Sequence, residues 1–381
     1  MKLKYIFLAS LIVLGVSSCK DDSNDPDGPT NSKVCELSVK VRTNNPVTTK
    51  VTGTDPNELE GEAYLNNLAV LVFNEAGTQL LGSKYETLSN TEGTAVIPDV
   101  PVSSAEKAQI LIVANVPQSV INTVSSLSDF QSLVLSLSSQ GQANLTMSSQ
   151  VITTTNALEG GDNYIGYTGE TNINDITTPV LLTRDVARLQ IQNFKTEFAG
   201  SALAGRTVTV NYAYAQNIKT QSKYFSVADW GAIELPGNLS NQSQVNLGSV
   251  IDDNTTLTSV PYRYYVMENS ASTDAATQIV VNATIAAGGG YQAQTKTFVA
   301  TINPAGLTTY GHNYIKRNYV YKMYITFSST SFTPDPNPVT PPNPDQPEPV
   351  PVPDPTPDTQ SLEVAVQIVA WGNVNQHNVV D

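Results

Sequence analysis

The chain has 381 residues, 40% of them hydrophobic, which is enough for two domains with buried cores. Only 14% of the residues are charged, and 23 glycines and 23 prolines disfavour long helices. Acidic side chains outnumber basic ones 34 to 20, and the net charge of −14 disfavours nucleic acid as a partner. Two histidines and two cysteines leave little material for a metal site or a histidine-assisted nucleophile. The composition therefore argues against a typical enzyme, and we expect no catalytic residue, metal or cofactor.

The first 18 residues have the pattern of a secretory signal. Lys2 and Lys4 precede an apolar run over residues 5–16, which is shorter than the about 20 residues that a membrane-spanning helix needs. The run ends in Val-Ser-Ser-Cys at residues 16–19, which resembles a bacterial lipobox. We therefore predict acylation of Cys19 and attachment to the outer membrane through lipid. The alternative is an ordinary signal peptide with an incidental cysteine.

The next segment alternates in the manner of a half-buried strand. Cys35, Leu37, Val39 and Val41 are separated by polar residues, and a polar, turn-rich stretch follows at Thr43–Gly61. The pattern predicts a first strand followed by an exposed connection.

Most of the remaining chain consists of short β-type runs separated by Gly, Pro, Asn and Ser. One stretch, Pro117–Leu137, has apolar residues at helical spacing and predicts a helix. Many short strands with turn signals between them indicate β-sandwiches, and we place a domain boundary near residues 184–188. The predicted strands are Leu68–Phe73, Ala95–Val100, Gln109–Val113, Val180–Leu182, Ala187–Gln192, Thr207–Tyr214, Tyr262–Met267, Gln278–Ile285, Gln294–Ile302 and Tyr319–Phe327.

The C-terminal region combines a proline-rich spacer with one more strand. From Pro334 to Pro357, 12 of 24 residues are proline, which indicates a stiff polyproline II segment. One alternative is that the strand after it closes its own sandwich, but a short loop would suffice for that. A long spacer favours delivery to another molecule, so we predict a donor strand isolated from its own domain. Its apolar positions are Leu362, Val364, Val366, Ile368, Ala370 and Trp371.

Several motifs, in this order and spacing, resemble the FimA-type major fimbrillins, the structural subunits of type V pili in Gram-negative anaerobic bacteria. The resemblance covers most of the chain, from the lipoprotein start to the final strand. The motifs are ELSVKVRTNN at 36–45, NYIGYTG at 163–169, RDVAR at 184–188, YYVMEN at 264–269, KRNYVYK at 316–322 and LEVAVQIVAW at 362–371.

The resemblance implies an all-β fold of two transthyretin-like Greek-key β-sandwiches in tandem, with a short helix in the first. It also implies export as a lipoprotein and a cut by a trypsin-like protease after the first strand. By spacing the cut falls between Lys50 and Val51, with Arg42 as the alternative. The expected segments are 1–18 signal, 19–50 propeptide, 51–185 and 186–332 sandwiches, 333–361 linker and 362–381 donor strand.

The function that follows is that of a stalk subunit in a surface fimbria that supports adhesion. Removal of the strand containing Leu37, Val39 and Val41 opens a groove, which a neighbour's donor strand fills by β-strand addition. Groove and donor lie at different places on one subunit, so the contact is head-to-tail and builds an open homopolymer, joined by minor, anchor and tip subunits. The presumed cleavage stretch together with the terminal strand favours a stalk over a minor or anchor subunit.

A surface-anchored glycan-binding lipoprotein is the alternative from another class. Seventeen tyrosines offer stacking platforms for sugars. Most of them lie within the predicted strands, where cross-strand packing accounts for them. Deletion of residues 362–381 separates the classes, because it prevents polymerisation of a pilin and leaves the affinity of a glycan binder unchanged.

Cleavage at Lys50 removes both cysteines, Cys19 and Cys35, with the propeptide. We therefore predict that a thiol reagent labels the denatured precursor and leaves the denatured, assembled subunit unlabelled. The measurement is in-gel fluorescence of precursor and sheared fimbriae after maleimide treatment. Labelled subunit in the fimbriae would mean that the cut lies before Cys35 or does not occur.

Overall fold

The computed structural model describes residues 34–43, 59–224, 235, 239–305, 312–332 and 362–371. Cys19, Lys50, Val51 and the proline-rich segment lie outside these residues. Within them, strands form two sandwiches. The strands of the first are β1 (Cys35–Arg42), β2 (Leu65–Asn74), β3 (Leu80–Thr91), β4 (Thr94–Val102), β5 (Ala108–Ala114), β6 (Val134–Ser136), β7 (Met147–Ser148), β8 (Ile152–Thr153), β9 (Gly161–Ile165), β10 (Val180–Leu181) and β11 (Thr183–Arg184).

The remaining strands belong to the second sandwich and to short pairs at the domain junction. They are β12 (Ala187–Glu197), β13 (Val208–Gln216), β14 (Ile218–Lys219), β15 (Gln221–Lys223), β16 (Leu239–Ser240), β17 (Val245–Ile251), β18 (Arg263–Val266), β19 (Gln278–Ile285), β20 (Gln294–Thr301), β21 (Tyr319–Ser328) and β22 (Leu362–Ala370).

The first sandwich consists of two sheets around one apolar core. One sheet has the order β10-β1-β4, with β9 also paired to β1, and the other has the order β11-β7-β5-β2-β3, with β8 paired to β5. The run Leu68–Phe73 in β2 is fully buried, as expected for a central strand whose two faces are both covered. The two sheets therefore share a continuous core that includes the inward side chains of β1.

The second sandwich consists of two four-stranded sheets, β18-β12-β21-β22 and β17-β13-β19-β20. β12 and β21 run parallel, whereas the other pairs in these sheets are antiparallel. Phe194, Phe298, Phe327 and Phe332 form an aromatic cluster in its core, with ring centroids 5.5–6.3 Å apart in the contacting pairs. The core of the second sandwich starts at Ala187, directly after Val186 of the first core, which also takes in a few later residues such as Trp371.

The all-β fold of two domains, expected from the sequence, is confirmed. The single helix predicted over Pro117–Leu137 is wrong in extent, because the structure has two short helices there, α1 (Gln118–Ile121) and α2 (Leu127–Ser132). Ser126 explains the interruption: its hydroxyl accepts a hydrogen bond from the Asp129 amide and starts a new helix through a capping box. The end of the stretch then becomes β6.

The two sandwiches are joined by a short strand pair at the junction. β6, from the first domain, pairs antiparallel with β15, from the second, through residues Val134–Ser136 and Gln221–Lys223. The Leu137 amide continues this contact by donating to the Thr220 carbonyl oxygen at 2.8 Å. Backbone hydrogen bonds therefore cross the domain boundary.

A close approach inside the first sandwich generates a stability prediction. A Cβ atom added at Gly82 in β3 would lie 2.0 Å from the carbonyl oxygen of Pro101 in β4. We expect Gly82→Ala to lower the free energy of unfolding by about 1–3 kcal/mol, because backbone must move to relieve the overlap. Chemical denaturation measures this change. Gly141→Ala is the matched control, since nothing lies within 4 Å of a Cβ there, and an equal effect of both substitutions would contradict the prediction.

Candidate functional site

The first strand lies in the interior of its sheet. β1 pairs antiparallel with β4 on one side, from Cys35 opposite Val102 to Arg42 opposite Thr94. On the other side it pairs in parallel with β9 and then with β10. Removal of β1 would therefore leave two unpaired sheet edges facing each other.

The inward side chains of β1 complete the core of the first domain. Leu37, Val39 and Val41 are fully buried. Burial of such side chains stabilises the folded state by roughly 1.5–3 kcal/mol each. An empty groove would expose an apolar trough as well as unpaired backbone groups, so the domain requires a strand at this position. We call this position the β1 groove.

Both ends of β1 are held by specific hydrogen bonds. At its start, the Asn163 side chain donates to the Glu36 carbonyl oxygen at 3.1 Å. At its end, the Thr43 amide donates to the Gly93 carbonyl oxygen, and the Leu182 amide donates to the Arg42 carbonyl oxygen, both at 2.9 Å. The bond after Arg42 is thus part of a paired strand, which makes it a poor protease substrate in the folded chain.

The C-terminal strand lies on its own domain. β22 pairs antiparallel with β21 at nine positions, from Tyr319 opposite Ala370 to Phe327 opposite Leu362. Among the described strands β21 is its one neighbour, so β22 forms the edge of this sheet. The prediction of a strand isolated from its domain therefore differs from the structure, which has the alternative that the sequence left open. The length of the spacer did not predict the position of the strand, because a long linker allows the strand to pair with its own domain as readily as with another molecule.

Burial along β22 increases toward its end. Leu362, Val364 and Val366 are half-buried and pack against the second core, whereas Ile368 and Trp371 are almost fully buried. Trp371 belongs to the apolar cluster of the first domain, not the second. The strand therefore ends at the junction of the two sandwiches.

Trp371 is enclosed by an aromatic ring and two guanidinium groups. Its ring stacks on Tyr265 with centroids 5.9 Å apart and an angle of 7° between the planes. The guanidinium carbons of Arg184 and Arg188 lie 4.7 and 5.2 Å from its centroid, in cation–π geometry. The Trp371 amide also donates to the Asn318 carbonyl oxygen at 2.9 Å. We call Trp371, Tyr265, Arg184 and Arg188 the C-terminal latch.

A buried glutamate connects the latch to the start of the first sandwich. Glu62 is fully buried and precedes β2, after the connection that follows β1. Its carboxylate accepts hydrogen bonds from Arg188 and from the Tyr265 hydroxyl, the latter at 2.7 Å, and its carbonyl oxygen accepts one from Arg184 at 2.9 Å. Burial, together with the charge of Glu62, raises the pKa of Tyr265, which keeps its hydroxyl a donor. The RDVAR motif and Trp371 stand out in the sequence, but the sequence did not predict that they meet, and it did not identify Glu62.

A second buried ion pair lies at the same junction. Arg317 donates to the Asp185 carboxylate at 2.8 Å and to the Ser222 hydroxyl at 3.0 Å. Ser148 of β7 donates to the same oxygen of Asp185 at 3.1 Å. Residues of both domains, Ser148 and Arg317, therefore meet at one carboxylate.

No helix in the described part of the chain is long and apolar enough to cross a membrane. Among the same residues, no three His, Cys, Asp or Glu side chains come close enough together to hold a metal ion.

Comparisons with known proteins cover both domains. Residues 35–184 match the family of the major fimbrial subunit protein FimA, and residues 186–371 match the C-terminal domain of the Fim1C-like fimbrium tip subunits. The chain is also 48% identical over 380 residues to a Parabacteroides distasonis protein with the provisional name fimbrium tip subunit Fim1C, covering 99% of this chain and 98% of that protein. The chain belongs to this family of fimbrial subunits. The resemblance to FimA-type subunits is thereby confirmed.

Solved structures agree with the fold of this fimbrial subunit. A provisionally named cell adhesion protein from Parabacteroides distasonis aligns with a TM-score of 0.76 and 46% identity, over 91% of this chain and 99% of that one. A fimbrilin (FimA) from Porphyromonas gingivalis aligns with a TM-score of 0.59 and 19% identity, over 90% and 99%, and supports the fold. As a family member, the subunit assembles with other fimbrial components at the cell surface.

The buried ion pair generates a prediction on pH. Burial raises the pKa of the Asp185 carboxyl to about 7, against the opposing effect of Arg317, whereas in the unfolded chain it is about 3.9. Between these values the folded subunit holds a proton that the unfolded chain has lost. This group therefore lowers the free energy of unfolding as pH rises from about 5 to 7, by up to about 1.4 kcal/mol per unit.

Asp185→Asn should flatten this part of the pH profile of stability, as measured by chemical denaturation at each pH. The matched control is Asp129→Asn, because a hydrogen bond from Ser125 lowers the pKa of the exposed Asp129 and its titration lies below this range. An unchanged slope in Asp185→Asn would contradict the assignment.

Proposed function

We propose that the chain is a terminal, tip-type subunit of a fimbrium, and that it accepts a donor strand without giving one. The observation that carries this proposal is the C-terminal strand, which pairs along its full length with β21 and ends in the latch. A stalk subunit must release this strand to the next subunit. A tip subunit has no subunit beyond it and keeps the strand.

The cost of releasing β22 supports the proposal. Departure would break its ladder with β21 and expose Ile368 and Trp371. It would also leave Arg184 and Arg188 without the indole ring over which they lie. Burial of large apolar side chains stabilises by roughly 1.5–3 kcal/mol each, before the loss of cation–π contacts is considered. Retention of β22 is thus the state that the contacts favour.

The relative from Parabacteroides distasonis provides independent support. Its provisional name is that of a fimbrium tip subunit, and the identity of 48% extends over nearly the whole of both chains. The C-terminal domain, which contains β22, matches a family described by the same role. We transfer this role to the present chain as part of the proposal.

The other half of the proposal concerns the β1 groove. Export as a lipoprotein through Cys19 brings the precursor to the outer membrane, where a trypsin-like protease cuts within residues 44–58, with Lys50 and Val51 as the proposed site. β1 then leaves, and the C-terminal strand of the adjoining subunit takes its place by strand addition. The two unpaired sheet edges and the apolar trough give the incoming strand both backbone and side-chain partners.

A stalk subunit, the function expected from the sequence, remains the second candidate. Its supporting observation is that β22 has a single neighbour in its sheet and is an edge strand that follows a long spacer. The two candidates differ in one physical step, which is the separation of β22 from β21. An experiment that blocks this step distinguishes them.

A disulfide across the β21–β22 pair provides the block. Lys322 and Gln367 lie directly opposite each other, and opposed residues of an antiparallel pair have Cα atoms about 4.5–5.5 Å apart, which suits a disulfide. With Lys322→Cys and Gln367→Cys together, we expect the subunit to be incorporated into fimbriae in normal amount with the disulfide intact. Electron microscopy with antibody labelling should find it at fimbrial ends.

The double serine variant at the same positions is the matched control for the loss of the native side chains. Loss of incorporation that is restored by reductant would show that β22 must leave, and would exclude the tip role in favour of the stalk. Labelling along the fimbrial shaft in the strain with the double serine variant would exclude the tip role independently.

A further inference from the structure

The β1 groove contains one position that is neither apolar nor exposed. Ser38 lies between the inward residues Leu37 and Val39, on the outer face of the sheet, and is only 9% exposed. The register between β1 and β4 shifts here: Leu37 is opposite Val100, whereas Val39 is opposite Ile97. Two residues of β4 therefore face one residue of β1, which is a β-bulge.

The bulge places the backbone amide of Asp99 so that it points toward the strand in the groove. Asp99, in the bulge, has a φ of +49°, in the left-handed region. Its amide donates to the Ser38 hydroxyl oxygen at 3.1 Å, and the hydroxyl in turn lies 3.5 Å from the Asp99 carboxylate. Because the bulge interrupts the regular ladder, a side chain at position 38 provides the acceptor that a backbone carbonyl would normally supply.

Contacts outside β1 hold the bulge in place. Lys84 of β3 donates to the Pro98 carbonyl oxygen at 2.7 Å. Gly82 allows β3 to approach the backbone of Pro101, since a Cβ atom there would lie 2.0 Å from its carbonyl oxygen. This part of β4 is therefore also supported by β3, through contacts that do not involve the strand in the groove.

Two tyrosines limit the space over the same position. Tyr164 of β9 is paired with Ser38, and its ring meets that of Tyr167 edge-on, with centroids 5.4 Å apart. Burial raises the pKa of Tyr167, and a hydrogen bond with the Ser38 side chain opposes the rise. Asp99, Tyr164 and Tyr167 thus surround a small side chain.

We propose that the β1 groove selects its incoming strand at the position of Ser38, where it takes a small hydroxyl-bearing residue flanked by apolar neighbours. The proposal rests on the strand exchange described above and adds a rule of specificity to it. The partner is an extended strand, antiparallel to β4, with the pattern apolar–Ser–apolar at the bulge. A larger side chain meets the tyrosines, and a residue without an acceptor leaves the Asp99 amide without its hydrogen bond.

The chain's own C-terminal strand fits this rule only in part. Aligning Leu362-Glu363-Val364-Ala365-Val366 with Cys35-Glu36-Leu37-Ser38-Val39 keeps the alternation and matches Glu363 with Glu36. Ala365 then falls at the position of Ser38. It is small enough for the site but has no acceptor, so the groove discriminates against the tail of a second copy.

Peptide exchange on the cut, full-length protein tests this rule. The chain is cleaved between residues 44 and 58, at Lys50 or at an inserted protease site, and incubated under reducing conditions with fluorescent peptides of residues 34–43. Anisotropy then reports replacement of the bound first strand. We expect Ser38→Ala to weaken binding of the peptide about three- to tenfold, since the hydrogen bond from the Asp99 amide is lost, and Ser38→Leu to weaken binding further.

Glu36→Ala is the control peptide, because Glu36 is also an outward position of β1 but takes part in the groove through its backbone. It should bind within about twofold of the native peptide, as expected for a half-exposed side chain. Conversely, Ala365→Ser in a peptide of residues 362–371 should strengthen the binding of this peptide to the β1 groove.

The outcomes separate this proposal from the proposed function. Equal binding of the native, Ser38→Ala and Ser38→Leu peptides would overturn the specificity rule and leave strand exchange intact. Failure of every peptide, including the native one, to enter the cleaved protein would overturn both. Tighter binding of the unmodified C-terminal peptide than of its serine variant would overturn the rule alone.

Discussion

The two-sided backbone pairing of β1 is the constraint on which the first domain depends. A strand that lies between β4 on one side and β9 and β10 on the other cannot be lost without exposing two sheet edges and an apolar trough. The domain is consequently stable only with an extended segment in that place. The chain supplies this segment itself, joined to the rest by a stretch that starts after Thr43.

β1 and β22 resemble each other in sequence pattern, yet they have opposite positions in their sheets. β1 is interior and fully buried on one face, whereas β22 is an edge strand whose first half is only half-buried. The weaker burial of β22 is offset at its C-terminal end, where Trp371 packs in the apolar cluster of the first domain and against two arginines. One strand is thus retained by its sheet and the other by its terminal residue.

The sequence predicted the fold class and most long strands, because alternation in β1, β19 and β22 is a local property of the chain. It did not predict β3 or β17, whose glycines and polar residues weaken the period of two. At the candidate site, the inward residues of β1 followed from alternation. The location of β22 did not, because the same alternation fits any free sheet edge. Glu62 and Ser38 were missed for a related reason: their importance comes from partners more than 60 residues away, Arg188 and Asp99.

The geometry of β1 also has a mechanical consequence. Its hydrogen bonds to both neighbours run across the strand, so a pull along the strand axis loads all of them together and does not open them one after another. A segment seated there resists traction by shear over its full length. The pairing of β6 with β15 connects the backbones of the two sandwiches, and a load that reaches the domain junction crosses it partly through these hydrogen bonds.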